Sequence, residues 1–389
     1  MTKLRSAGAL LLLSALTACA GIIPPAAERA SRPPPETIPQ TPETPPTVPA
    51  PPTAANALGQ GVRSGPSVAS LDIGRQQAER ALATFRISCP SLLNREEQTG
   101  LTVAFDWVAP CEAASSWRDD PEDFFAEYFR TVEVGSGQAF ATGYYEPEIA
   151  AARERRDGYE WPVYALPDDI PQSCAPECGE DSSLTRAAIE NGALEGQGLA
   201  IAWARDLVDL YFLQVQGSGI LRLPDGDAMR IGYAGNNGYP YTSIGRLMRE
   251  RGLLGDGQTT AEGIATWLRE NPDRGREIMQ ENRRYIFFTE VNGPGPLGSL
   301  GRPVTPRATV AADPDFVPLG APVFLDLEHD VADGLWIAQD TGSAIRGANR
   351  FDTFWGAGDE AYAIASGMAS RGQAYILIPA VSAARFRAD

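Results

Sequence analysis

The stretch 334–356 constrains the fold most, because it places two isolated acids beside two short strand patterns. An apolar run over 335–338 predicts a buried strand, and it leads to Asp340 within an Asp-Thr-Gly turn signal. A second strand pattern over 350–355 contains Asp352. Two acids twelve positions apart, each at the edge of a strand, indicate a carboxylate-lined cleft. Solvent-exposed turn aspartates are the alternative interpretation.

Length and composition indicate a chain of about two ordinary domains, and 43% of the residues are apolar, enough for a core. The net charge of −17 argues against nucleic acid as a partner and against a polyanionic substrate held by charge. The single histidine, His329, lies between two acids in a polar stretch, which excludes a His-rich zinc site. We therefore predict no metal and no cofactor.

The first nineteen residues predict the compartment. A basic start is followed by an apolar segment over 7–16, which is too short to span a membrane as a mature helix. Residues 16–19, Leu-Thr-Ala-Cys, resemble a bacterial lipobox, so we predict a lipoprotein signal peptide over 1–19 with lipidation at Cys19. A plain signal peptide is the alternative. Ala20 resembles the pattern of lipoproteins sent to the outer membrane, which would leave the chain lipid-anchored there and facing the periplasm.

The segment 20–70 predicts a disordered tether. It holds twelve prolines between Pro24 and Pro52, with Thr, Ala and Glu among them. Such a composition buries too little apolar surface to fold and favours an extended, polyproline-like chain.

Four further cysteines would lie in an oxidising compartment. An even number there indicates two disulfides. The local pairings Cys89 with Cys111 and Cys174 with Cys178 are favoured, and three connectivities are open.

Several motifs in one order resemble the membrane-bound lytic transglycosylase A (MltA) family. The segments 310–320, 339–347 and 350–352 look like the 3D (three-aspartate) domain, a double-psi β-barrel, with Asp313, Asp340 and Asp352 as its aspartates. Upstream, Ala-Thr-Gly-Tyr-Tyr-Glu-Pro at 141–147 and Gln-Val-Gln-Gly-Ser-Gly at 214–219 resemble the rest of the family. The likeness runs from about residue 85 to 385.

The resemblance implies a mainly β fold with flanking helices, in which a double-psi β-barrel is interrupted by a second, inserted β-rich domain. The predicted barrel covers 71–147 and 281–389, and the inserted substrate-groove domain covers 148–280. Within the insert, the apolar run 209–216 predicts a strand, and the strand 284–288 should return the chain to the barrel.

The family's catalytic roles carry over to specific positions here. Asp352 matches the single catalytic acid, and Thr142 matches the residue beside it. Asp340 would stay ionised, held by the Thr341 hydroxyl and backbone amides, and would stabilise positive charge. Asp313, next to a proline, more simply caps a turn.

Polar and aromatic residues upstream suit sugar binding, through hydrogen bonds to hydroxyl and N-acetyl groups and through stacking. Arg283 and Arg284 stand where family members tend to have a Pro-Ser-type pair, which puts a sugar contact from that corner in doubt. The predicted substrate-binding residues are Thr142, Tyr145, Gln214, Gln216, Ser218, Asn236 and Tyr239.

The resemblance implies a lytic transglycosylase, a carbon–oxygen lyase that cleaves the β-1,4 bond between N-acetylmuramic acid and N-acetylglucosamine and forms 1,6-anhydromuramoyl ends. It implies an exo-acting enzyme of peptidoglycan turnover, although the residues leave action at chain ends or within strands open. Peptidoglycan strands and outer-membrane lipid are the expected partners. A muramidase on the same barrel and a non-catalytic glycan-binding lipoprotein are the alternatives.

Overall fold

The computed structural model describes residues 54–168, 170, 184–255, 258–293 and 295–386. The predictions for the signal peptide, for Cys19, for the tether as far as residue 53, and for Cys174 and Cys178 lie outside the described residues. Among the residues that are described, no helix is long and apolar enough to cross a membrane.

Fourteen strands in the described part of the chain form two sheets. In chain order they are β1 (Val62–Ser64), β2 (Phe129–Val134), β3 (Gln138–Glu146), β4 (Glu148–Ala152), β5 (Trp161–Tyr164), β6 (Ala200–Ala204), β7 (Gly219–Arg222), β8 (Ala228–Asn236), β9 (Ile286–Glu290), β10 (Thr309–Ala312), β11 (Pro322–Leu327), β12 (Gly334–Asp340), β13 (Arg350–Ala357) and β14 (Ala369–Pro379).

The helices of the described residues pack around these sheets. They are α1 (Ala57–Gln60), α2 (Arg75–Leu92), α3 (Val108–Ser116), α4 (Pro121–Tyr128), α5 (Arg186–Glu190), α6 (Leu207–Gln216), α7 (Ile244–Glu250), α8 (Ala261–Glu270), α9 (Pro272–Glu281), α10 (Asp359–Gly367) and α11 (Ala380–Ala383). The sequence pattern predicts helices near 73–85, 184–191, 243–251 and 260–270, and these correspond to α2, α5, α7 and α8.

The first sheet closes into a six-stranded barrel. Its strands run in the order β3, β14, β11, β12, β10 and β13, and β13 pairs with β3 to complete the ring. The β10–β12 and β13–β3 pairs are parallel, and the other pairs in the ring are antiparallel. Alternate residues such as Val310, Val323, Trp336 and Phe351 point inward and are buried in one core, as the period of a strand requires.

The tether was predicted to extend to residue 70, but regular structure begins earlier, with α1 and β1. Ala57 is fully buried, and β1 pairs antiparallel with β2. The dense proline run ends at Pro52, so the backbone beyond it has the amide hydrogens that a strand needs.

The second sheet runs in the order β5, β6, β4, β7, β8 and β9. The prediction that the strand near 284–288 returns the chain to the barrel is wrong, because β9 pairs antiparallel with β8 in this sheet. Asn237 helps to hold it there: its side-chain oxygen accepts from the Tyr285 N–H at 2.8 Å, and its nitrogen donates to the Arg283 carbonyl at 2.9 Å.

The predicted strand over 209–216 is instead the helix α6. Asp206 caps its start by accepting the Asp209 N–H at 2.9 Å, and Gly217, at φ 82°, ends it in the left-handed region. Leu213 packs into the core of the second sheet, while Tyr211 packs into a separate cluster against the later helices. Because two faces of α6 are buried, its sequence is apolar nearly all round and resembles a buried strand.

A helical layer covers one side of the barrel. The helix α2 packs Phe85 against the aromatic side chains of Trp107, Phe124 and Phe129. A disulfide joins Cys89 of α2 to Cys111 of α3, which is the local pairing favoured by the sequence. It fixes α2 to α3, and α2 in turn contacts the barrel through apolar packing and through hydrogen bonds from Gln339 of β12.

Candidate active site

Asp352 lies beside Thr142 because β13 and β3 run parallel with these two residues in register. The Thr142 hydroxyl donates to Asp352 Oδ1 at 2.6 Å, and Arg350 Nη2 donates to the same hydroxyl oxygen at 2.9 Å. A hydroxyl carries one hydrogen, so the bond from Arg350 directs that hydrogen toward Asp352.

The environment of Asp352 favours its protonated form more than water does. Burial is the main cause that raises its pKa, the charge of Arg350 and the Thr142 hydrogen bond oppose the rise, and the negative charge of Asp340 adds to it; the resulting pKa is about 6. A carboxyl group with such a pKa keeps a proton well above the usual range for aspartate and can act as a general acid near neutral pH.

Asp340 is held by four hydrogen bonds. Its Oδ1 accepts from the Ser299 N–H at 2.9 Å, the Ser299 hydroxyl at 3.0 Å and the Thr341 N–H at 2.9 Å, and its Oδ2 accepts from the Tyr144 hydroxyl at 3.0 Å. Burial raises the pKa of Asp340 above its ordinary value, and these hydrogen bonds reduce that rise without cancelling it. The expected Thr341 hydroxyl is absent from this set, because it lies 2.6 Å from the Ser299 hydroxyl instead.

Tyr144, rather than Tyr145, faces the two acids. Strand alternation puts Thr142 and Tyr144 on one side of β3 and Tyr145 on the other. Burial and the charge of Asp340 raise the pKa of Tyr144 well above its ordinary value, so its hydroxyl keeps its hydrogen for Asp340. Tyr145 lines a separate cavity of about 410 Å³ together with Tyr362.

A groove of about 920 Å³ lies between the barrel and the second sheet, and of the two acids it is Asp340 that lines it. Tyr144 and Asp340 line its barrel side, and the predicted residues Gln214, Gln216 and Ser218 line the opposite side. Gln216 also accepts the Tyr145 backbone N–H at 3.2 Å. Other polar and aromatic lining residues are Tyr233, Tyr241, Arg284, Ser299, Thr341, Ser343 and Arg346.

Gln214 reaches the groove with most of its side chain covered. Only 3% of the residue is exposed, and its side-chain oxygen accepts from Arg186 Nη1 at 2.5 Å. The predicted sugar contact would therefore have to come from its amide nitrogen.

Asn236 and Tyr239, which the sequence predicted to bind substrate, are buried, and neither lines the groove. Asn236 is buried and shapes the turn after β8: its nitrogen donates to the Tyr233 hydroxyl at 2.5 Å, and its oxygen accepts the Gly238 N–H at 2.8 Å. Tyr239 is 1% exposed and lies under the Arg283 guanidinium, 4.1 Å from the ring centre. An Asn beside a turn glycine commonly bonds the local backbone in this way.

Asp313 is a turn-forming residue in the structure, as its position beside Pro314 predicted. Its oxygens accept the Asp315 N–H at 3.2 Å and the Gly347 N–H at 2.7 Å, and the residue is 3% exposed. In the described part of the chain no cluster of His, Cys, Asp and Glu has the arrangement of a metal site.

Sequence reasoning assigned no role to Ser299 or Arg350. Ser299 lies in a Gly- and Pro-rich loop, and nothing in that pattern points to Asp340. Arg350 stands in the Arg-Phe-Asp motif, so its place two residues before Asp352 on the same side of β13 was a usable signal.

Comparison with known proteins assigns the family. Residues 140–289 match the MltA specific insert domain, and residues 308–378 match the 3D domain. The crystal structure of MltA from Neisseria gonorrhoeae in its monoclinic form superposes with a TM-score of 0.65 at 34% identity, covering 83% of this chain and 91% of that one. The chain belongs to the MltA family.

Two more members of the MltA family extend this comparison. The membrane-bound lytic murein transglycosylase A of Vibrio cholerae serotype O1 is 34% identical over 236 residues, which are 58% of this chain and 61% of that relative. The crystal structure of Escherichia coli MltA with bound chitohexaose is 25% identical, with a TM-score of 0.60 and coverage of 80% of this chain and 91% of that one.

The matched segments agree with the two sheets of this MltA-like fold. The insert match begins in β3 and ends in β9, so it includes the strand that the sequence had assigned to the barrel. The 3D match spans β10 to β14 nearly completely and contains Asp313, Asp340 and Asp352.

Proposed function

We propose that this protein is a lytic transglycosylase that cleaves the β-1,4 bond between N-acetylmuramic acid and N-acetylglucosamine in peptidoglycan. The observation that carries this proposal is Asp352, which accepts a hydrogen bond from the Thr142 hydroxyl and whose pKa is raised to about 6. The acid shares its side of the paired strands with Tyr144, which lines the groove. Membership of the MltA family supports the same reaction.

In the proposed reaction, Asp352 first donates its proton to the glycosidic oxygen that leaves C1 of the muramoyl residue. The muramoyl C6 hydroxyl then attacks its own C1, and Asp352 recovers the hydroxyl proton. The products are a free N-acetylglucosamine hydroxyl and a 1,6-anhydromuramoyl end. No water is consumed, and one carboxyl group serves both steps.

Asp340 is proposed to stabilise the positive charge that develops at C1. Its four hydrogen-bond donors favour the ionised carboxylate and hold it in place. Ionised Asp340 also raises the pKa of Asp352. The proposal gives the two carboxyl groups different protonation states, which is the arrangement that separates an acid from a charge-stabilising group.

The groove suits a glycan strand rather than a compact molecule. It is an open channel of about 920 Å³ whose lining mixes carboxylate, amide, hydroxyl and tyrosine groups. Tyr233 and Tyr241 would stack on sugar rings, and Gln216 and Ser218 would bond their hydroxyl or N-acetyl groups. The chitohexaose bound to Escherichia coli MltA supports a glycan ligand.

We propose further that the chain is anchored to the outer membrane by lipid on Cys19 and faces the periplasm. The lipobox-like residues 16–19 carry this proposal, and the words "membrane-bound" in the name of the Vibrio cholerae relative support it. Labelling with a radioactive fatty acid should modify the natural chain and leave a Cys19→Ser variant unlabelled.

The decisive experiment is digestion of purified peptidoglycan by the full chain in detergent micelles, with products read by mass spectrometry. We expect muropeptides lighter by one water than their reducing-end counterparts. Asp352→Asn should lower turnover at least a thousandfold while keeping glycan binding, because the amide cannot transfer the proton. Asp326→Asn is the matched control, since Asp326 is exposed on β11 of the same barrel.

Each other result would assign a different function. Reducing ends in place of anhydro ends would mean that water enters the site and that the protein is a muramidase. Binding without any released product would leave a glycan-binding lipoprotein. Full activity of Asp352→Asn would refute the role of Asp352 whatever the product.

A further inference from the structure

Two arginines face the groove from its opposite sides. Arg284 directly precedes Tyr285 and β9 in the inserted domain, and Arg346 lies in the barrel loop between β12 and β13. Both line the same groove as Asp340. In a chain with a net charge of −17, two guanidinium groups directed into one groove are an uncommon concentration of positive charge.

Arg284 is only partly satisfied by the protein. Its Nη1 donates to the Tyr239 carbonyl at 3.0 Å, whereas its Nε is buried without a hydrogen-bond partner. Within the described residues no carboxylate forms an ion pair with it. A buried guanidinium nitrogen that lacks an acceptor is costly, and a bound anion would supply the counter-charge that Arg284 lacks.

Arg346 keeps most of its donors for the groove. Its one ion pair among the described residues is with Asp313, at 3.7 Å from Nη1, and 62% of its side chain is exposed. Both oxygens of Asp313 already accept backbone N–H groups. Burial lowers the pKa of Arg284, and the positive charge of Arg346 adds to that lowering.

Arg186 lines the groove as well, but it has a structural role. Its guanidinium donates to the Asn282 and Arg284 carbonyls and to Gln214, and it pairs with Glu190 at 3.4 Å. Its donors are therefore engaged within the protein. The contrast identifies Arg284 and Arg346 as the groove arginines that are available to a ligand.

We propose that Arg284 and Arg346 together bind a carboxylate of the muramoyl residue, an inference that rests on the proposed function. A muramoyl residue carries a lactyl group, whose carboxylate is free in peptide-free glycan and joined to the stem peptide otherwise. The stem peptide has carboxylates of its own. A polymer of N-acetylglucosamine has none, so this pair would select peptidoglycan over chitin-like glycans.

The chemistry of the two side chains favours a carboxylate as the ligand. A guanidinium presents parallel N–H donors that match the two oxygens of a carboxylate. An anion bound in the groove between Arg284 and Arg346 would pair with both positive charges.

The test measures affinity by calorimetry in the Asp352→Asn background, so that no glycan is cleaved. The ligands are chitohexaose, peptide-free peptidoglycan oligomers with free lactyl carboxylates, and peptide-bearing oligomers of the same length. We expect Arg284→Gln with Arg346→Gln to weaken binding of at least one carboxylate-bearing oligomer about tenfold or more. Binding of chitohexaose should be unchanged.

The pattern of losses identifies the source of the carboxylate. A loss confined to peptide-free oligomers supports the lactyl group, and a loss confined to peptide-bearing oligomers supports the stem peptide. Arg249→Gln is the control, because it removes the same charge from an exposed position on α7. Unchanged affinities, or equal losses that include chitohexaose, would overturn the inference. Anhydro products from the natural chain would still support the proposed function in that case.

Discussion

The Thr142 hydroxyl links the positive charge of Arg350 to the carboxyl group of Asp352. Its hydrogen bond stabilises the ionised acid and so lowers the pKa of Asp352, while burial raises that pKa more strongly. The balance leaves a pKa of about 6. Thr142 therefore acts as a positioning residue that sets both the orientation of the acid and the pH at which it loses its proton.

This balance predicts the pH dependence of activity. Because the proposed acid must be protonated, kcat/KM should fall as pH rises through about 6, the pKa of Asp352. In Thr142→Val the ionised carboxylate loses a hydrogen bond, so the fall should move to higher pH. The maximal kcat should also drop by about 10- to 100-fold because the carboxyl group is less well oriented. Initial rates across pH 4 to 9 would measure both effects.

Thr142→Ser is the matched control, since it keeps the hydroxyl and changes only the methyl group. We expect its pH profile to coincide with that of the natural chain. A valine variant with an unshifted profile and only a lower kcat would contradict the hydrogen-bond explanation and leave Thr142 as a packing residue.

At the scale of secondary-structure elements, the approach of β3 to α10 positions Thr142 and Tyr144. A Cβ added at Gly143 would lie 2.9 Å from the Ala365 Cα of α10 and 2.9 Å from Trp355 Nε1. Real Cβ atoms rarely come so close to backbone, so α10 or β3 would have to move. The glycine thus permits the helix to pack directly on the strand that carries the site.

We predict that Gly143→Ala lowers the free energy of unfolding by about 1–3 kcal/mol. It should also lower activity, because a displaced β3 moves Thr142 away from Asp352. Gly367→Ala is the control: Gly367 ends α10, and a Cβ there would meet no atom within 4 Å. Denaturant titration would measure stability in both variants. Equal stability of the two would mean that the contact relaxes without cost.

The sequence predicted the type of an element correctly where one of its faces is exposed to solvent. It failed where two faces of the element are buried. The helix α8 alternates buried Ile264 and Leu268 with exposed residues, so its period could be recognised. The helix α6 packs into two separate cores and therefore lacks that contrast. The strand β9 was recognised as a strand, but its partner β8 could not be inferred from an apolar run alone.

Across the whole molecule, a buried ion pair joins the two sheets. Glu146 ends β3 of the barrel, and its carboxylate accepts from Arg230 of β8 at 2.8 Å and 3.3 Å. Glu146 is 2% exposed, so it depends on this partner for its charge. This ion pair connects the barrel to the second sheet. The groove lies between the barrel and that sheet.

We predict that Glu146→Ala destabilises the protein by about 3 kcal/mol, because the change leaves Arg230 without its partner. The double variant Glu146→Leu with Arg230→Met should recover much of this stability, since apolar side chains replace the pair. KM for glycan should rise in the single variant as the groove loses its shape. Urea titration and steady-state kinetics would measure both quantities, and additive losses in the double variant would contradict the coupling.

Local patterns identified Asp340 and Asp352 as strand-edge acids, Asp313 as a turn cap, and the disulfide between Cys89 and Cys111. Each of those features depends on residues that are near one another in the chain or that belong to one recognisable motif. Sequence alone could not tell that Tyr144 rather than Tyr145 faces the acids, because that depends on which strand pairs with β3. It also could not give the role of Ser299, because that depends on the position of its loop next to Asp340.

The remaining features depend on residues that are far apart in the sequence. Thr142 and Asp352 are separated by 210 positions, and Tyr144 and Asp340 by 196. No periodicity or turn signal records which distant segments meet, because those signals arise from backbone preferences over a few residues. Barrel closure and the packing of the second sheet against it bring these groups together, and the same packing turns Arg284 and Arg346 toward one groove.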